Sequence, residues 1–79
     1  MKEVKQLHET ATALLRLIQE EKDRKDVLYK NYRQWCHFSS REWLEKYEHD
    51  IDICDRAIKR LKESYFKTIN KIVEYGKAN

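Results

Sequence analysis

The sequence predicts an all-α fold: an antiparallel two-helix hairpin, coiled-coil-like, that assembles as a homodimer into a four-helix bundle. Three observations lead there. The chain contains no proline and a single glycine close to its end, and the strongest helix-start signal, Phe38-Ser39-Ser40-Arg41-Glu42-Trp43, falls at its midpoint. Apolar residues recur at alternating spacings of three and four on both sides of that point. The two stripes also pair across it with a constant index sum of 79, placing Trp35 with Leu44, Leu28 with Ile51, Ile18 with Leu61, Leu7 with Ile72 and Val4 with Tyr75.

The first helix is expected over about residues 2–36, with a seam of Val4, Leu7, Ala11, Leu14, Ile18, Glu21, Lys25, Leu28, Tyr32 and Trp35. A turn follows over about 37–39. There Ser39 is expected to cap the second helix in a reciprocal box with Glu42, while Phe38 closes over Trp43 as a staple. The second helix, over about 40–75, carries Leu44, Tyr47, Ile51, Cys54, Ile58, Leu61, Tyr65, Thr68, Ile72 and Tyr75. Seventeen of these twenty seam positions are apolar or aromatic, in a chain that is 41% hydrophobic, so about eight would fall there by chance. A chain of 79 residues is expected to form a single domain, 1–79, with no enclosed core.

Glu21 and Lys25 interrupt the first seam in adjacent layers. Their order and spacing support the helix locally, and their stems can lie along the seam with the charged ends in water. Two other outcomes follow from the same residues: a polar layer that fixes register, or a break near Asp23 that would divide the chain into three helices.

Composition narrows the function classes. No run reaches the length of a membrane span and none resembles a signal peptide, so no membrane partner and a cytoplasmic location are expected. Cys36 and Cys54 stand eighteen residues apart, about 27 Å of helical rise, too far for a disulfide. His8, His37 and His49 lack metal-ligand spacing, no cysteine pair has it, and there is no glycine-rich phosphate loop. Cys36 and His37 are adjacent and point apart, so they do not form a nucleophile and base. Glu48, Asp52 and Asp55 share a face, and a solvated acidic face explains them. The chain is therefore expected to be no enzyme and to need no cofactor and no metal.

Apolar residues outside the seam point to an interface. Leu15 takes an e position of the first heptad series, and Phe66, Ile69 and Val73 take b, e and b of the second, all on one flank near the open end of the hairpin. A contiguous apolar patch there marks a docking surface; Leu17 lies on the opposite flank. The expected function is a small protein-interaction module, acting as adaptor, regulator or inhibitor of a larger protein partner.

Charge supports a nucleic-acid alternative. Residues 1–39 are net +2, residues 40–55 net −4 and residues 56–79 net +5. This order suits the helix dipole without any ligand, yet Arg56, Arg60, Lys67 and Lys71 form an outward stripe that RNA or DNA phosphates would attract. Six of the nine aromatic residues fall between positions 29 and 47 with basic neighbours, a composition that suits stacking on single strands. Packing at the capped end explains all of these except Tyr29.

Overall fold

The computed structural model describes residues 2–78, except for the side chain of Ala78. Two helices, α1 (Lys2–Trp35) and α2 (Arg41–Ala78), pack antiparallel as one extended hairpin. The rod measures 60 × 14 × 13 Å with a radius of gyration of 17.9 Å, against about 12 Å for a compact chain of this length. No helix of the described residues is long and apolar enough to cross a membrane.

The expected register is realised. Tyr75 donates its hydroxyl proton to Glu3 at the open end (3.2 Å), Lys25 pairs with Asp55 halfway along, and Tyr32 donates to Glu48 near the turn (3.0 Å). Their index sums stay within one of 79, so a single turn position sets every layer. Of the twenty seam positions, all but Trp35 and Tyr75 are buried or half-buried.

The core is thin. Among the described residues the buried apolar ones are Ala11, Ile18, Cys54 and Ile58, with Thr68 beside them and its hydroxyl donating to the Ser64 carbonyl at 2.9 Å. One stripe per helix cannot enclose more, and the exposed surface of 6628 Å² exceeds by about 1,500 Å² the area of a compact monomer of this mass.

The polar layer does not break α1, so the three-helix alternative is excluded: the helix continues through Asp23 to Trp35. Lys25 reaches across to Asp55, and Glu21 turns to Arg24 at 3.4 Å. The hydrogen bond that Lys25 donates to Asp55, more than the charge of that carboxylate, raises the Lys25 pKa above its ordinary value. Burial, followed by the nearby Glu21 carboxylate, raises that of the Cys54 thiol. Cys54 thus behaves as a small apolar seam residue, as expected.

The turn corrects the expected boundaries and the expected cap. It occupies residues 36–40, so α1 ends one residue early and α2 starts one residue late. Ser40, not Ser39, is the N-cap: its hydroxyl oxygen accepts from the Trp43 N–H at 3.3 Å and its carbonyl from the Leu44 N–H at 3.1 Å. Ser39 serves the other helix, donating its hydroxyl proton to the Trp35 carbonyl at 2.7 Å, which also accepts from the Phe38 N–H. Two adjacent serines thus satisfy the ends of two helices. With the cap moved by one, Glu42 is no longer three residues beyond it and the box with Ser39 does not form. Nor does the staple, because Phe38 points outward, 84% exposed.

At its far end α2 runs past the expected stop at 75 to Ala78. Gly76 lies within it with open space around its Cα; a glycine there costs about 1 kcal/mol relative to alanine without ending the helix.

Candidate interaction surfaces

The constant register divides the outside of the rod into two flanks. In an antiparallel pair the e positions of both helices border one side of the seam and the g positions the other, with b and c positions further out. Each flank carries different chemistry, which follows from placing the sequence on it.

On the e and b flank, the open end presents Leu15, Phe66 and Val73 exposed and Ile69 half-buried. The Phe66 ring, 61% exposed, lies edge-on to Tyr65 with centroids 5.8 Å apart. All four residues singled out from the sequence therefore share one flank, Leu15 from α1 and the others from α2. Cations rim them: Lys59 and Lys62 on α2 and Lys5 on α1, each exposed.

Toward the turn the same flank becomes polar and differs between its two helices. On α2 it carries Glu45, Glu48, Asp52 and Asp55 with Arg41; on α1 it carries Lys22 and Arg33 with Asp26. Each of the four acids has a partner within the chain. Asp55 meets Lys25, Glu48 accepts from Tyr32, Asp52 pairs with Arg56 at 2.9 Å and Glu45 with Arg41 at 3.3 Å. These partners give each acid of the Glu48, Asp52 and Asp55 set a separate contact, and among the described residues no group of three or more metal-ligating side chains converges.

Tyr29, which had no structural task in the sequence, gains one here. Its ring lies beneath the Arg33 guanidinium, 4.7 Å from centroid to Cζ, an arrangement that holds the cation outward on this flank. Composition revealed the aromatic residues near the turn but not this pairing, which depends on the i, i+4 geometry of α1.

The g and c flank is close to neutral. It carries Leu17 toward the open end and, at matching height nearer the turn, Val27 and Ile53 as exposed apolar residues. Shallow open grooves follow it, one lined by Leu17, Glu21, Ala57 and Leu61, another at the open end by Leu7, Thr10, Lys71 and Tyr75.

The aromatic end is only partly a packed cap. Trp43 stacks on Tyr32 at 6.3 Å and 9° between planes, and lies 4.2 Å from Tyr47. Trp35, expected on the seam opposite Leu44, is instead 50% exposed and borders a shallow groove with Asn31, Phe38 and Trp43. Trp43, half-buried, packs there with Tyr32 and Tyr47 instead.

The basic stripe of the nucleic-acid alternative is exposed throughout: Arg56, Arg60, Lys67 and Lys71 fall within about 60° of helix circumference. Arg56 is compensated by Asp52, while Arg60 and Lys71 border the g-side grooves. Comparison with protein-family models, curated proteins and solved structures finds no match for the chain.

Proposed function

We propose that the chain is a non-enzymatic protein-interaction module whose first partner is a second copy of itself. The resulting four-helix dimer is a preformed rigid rod that acts in the cytoplasm as an adaptor or regulator of a larger protein. The observation that carries this reading is the apolar set Leu15, Phe66, Ile69 and Val73 on one flank of a rod with one thin seam. A standard interface removes about 800 Å² from each partner, and the surface excess of this chain accommodates that area. Two cysteines without a partner in reach support a reducing compartment.

The test is the mass of the wild type by sedimentation equilibrium, beside Phe66→Glu with Ile69→Glu. The wild type is expected to be a dimer at micromolar concentration and the variant a monomer of unchanged helicity. A wild type that stays monomeric at high micromolar concentration refutes the reading.

The second reading, binding of RNA or DNA by the α2 stripe, rests on the common exposed face of Arg56, Arg60, Lys67 and Lys71. It requires salt-dependent binding that Arg60→Glu with Lys67→Glu abolishes; no binding in low salt removes it.

A further inference from the structure

We infer that the second copy docks parallel and in register, with the e and b flanks facing, both turns at the same end, and α1 of each chain lying on α2 of the other. This rests on the dimer reading above and specifies its geometry. A two-fold axis along the rod is the operation that brings α1 onto α2 of the second copy while keeping both at the same height. Because residue n of α1 is level with residue 79 − n of α2 within one chain, the same rule then fixes the layers between chains.

At the open end Leu15 is level with position 64 of the second copy, next to Phe66. Both copies make this contact, and Ile69 and Val73, level with positions 10 and 6, are covered by Thr12, His8 and the stem of Lys5 of the second copy. At the turn end Arg33 is level with position 46, between Glu45 and Glu48, and Tyr29 is level with position 50, between Glu48 and Asp52. The α1 side of that half is net positive and the α2 side net negative, counting Lys22, Arg33 and Asp26 against Arg41, Glu45, Glu48, Asp52 and Asp55. The charges complement each other when α1 faces α2. Arg33 is already held outward by its stack on Tyr29 at 4.7 Å.

Area and hydrophobic burial decide among the symmetric alternatives. A flank of 60 × 14 Å offers roughly 800 Å² per partner when it is fully overlapped, the size of a standard interface. Overlap of the open ends alone uses half of it. An antiparallel pair overlaps fully, but it lays Phe66, Ile69 and Val73 against the acidic half of α2. Leaving these side chains against carboxylates forfeits the burial that drives association.

The experiment measures distances between identical labels on the two chains by electron-electron resonance, at His49→Cys near the turn or Lys77→Cys at the open end, with Cys36→Ser and Cys54→Ala. A parallel dimer gives short distances, about 20–30 Å, at both sites, as neighbouring helix axes lie 8–10 Å apart. Antiparallel rods separate the Lys77→Cys labels by about 50 Å, and open-end overlap separates the His49→Cys labels by about 60 Å, from 1.5 Å per residue; either result overturns the geometry while leaving the dimer. Without label chemistry, Arg33→Glu weakens the wild-type dimer about tenfold and adding Glu45→Arg in the same chain restores it. Dimerisation indifferent to Arg33→Glu also overturns the proposal, and a monomeric wild type overturns the dimer reading itself.

Discussion

Ile58 and Ile53 lie five residues apart on α2 and differ in one respect, the side of the helix they occupy. Ile58 is 9% exposed on the seam and Ile53 is 50% exposed on the g and c flank. Truncation to alanine removes three carbons at either site. At Ile58 nearly all of that apolar surface is out of water, and about 0.8 kcal/mol per buried methylene gives roughly 2.4 kcal/mol. The gain in helix propensity returns about 0.4 kcal/mol, and the gap left between two rigid helices adds to the loss. Ile58→Ala is thus expected to destabilise by about 2–3 kcal/mol. At Ile53 the atoms removed are largely those already in water, and the expected loss is under about 1 kcal/mol. Urea denaturation followed by circular dichroism at 222 nm, at one protein concentration because association contributes to stability, measures both. Equal losses, or a larger one at Ile53, would place the seam on the wrong stripe and refute the packing described.

The capping assignment and the cross-helix phenols give further tests. Ser40→Ala is expected to cost about 1 kcal/mol through loss of the α2 cap, while Glu42→Ala costs little because no reciprocal box is made; the reverse order in denaturation midpoints would return the cap to Ser39. Tyr32 and Tyr75 have pKa values raised above the ordinary 10.0, chiefly by hydrogen bonds to Glu48 and Glu3. A raised folded-state value means that each phenol's contribution is complete below about pH 10 and is lost as pH rises through the folded pKa. Lys25, raised above 10.5 by Asp55, acts in the same direction. Thermal melts should therefore weaken above about pH 10, and Tyr32→Phe with Tyr75→Phe should flatten that decline; an identical alkaline decline in the double variant would show that these contacts contribute nothing.

Much of the hairpin was legible because one signal, the 3,4 repeat, is global: every seam residue reinforces the same register, so the polar exceptions Glu21 and Lys25 could not move it. The turn was less legible because it is local. Ser39 and Ser40 are both competent caps, and only the path of the backbone assigns each to its helix. Phe38 and Trp35 are left exposed at that end, and Trp43 packs there instead. The apolar flank was visible because Leu15, Phe66, Ile69 and Val73 fall outside the seam yet keep helical spacing. The opposition of an acidic α2 side to a basic α1 side was not, since it exists only after the two helices are laid at matching heights.

The fold-back of the chain underlies each of these statements. Labels at Glu9→Cys and Asn70→Cys, both exposed, in a Cys36→Ser and Cys54→Ala background and diluted into excess unlabelled protein, report on it within a single molecule. Packed helices 10–12 Å in diameter put these sites about 20–25 Å apart; a separation approaching the roughly 90 Å of an uninterrupted helix between them would contradict the hairpin.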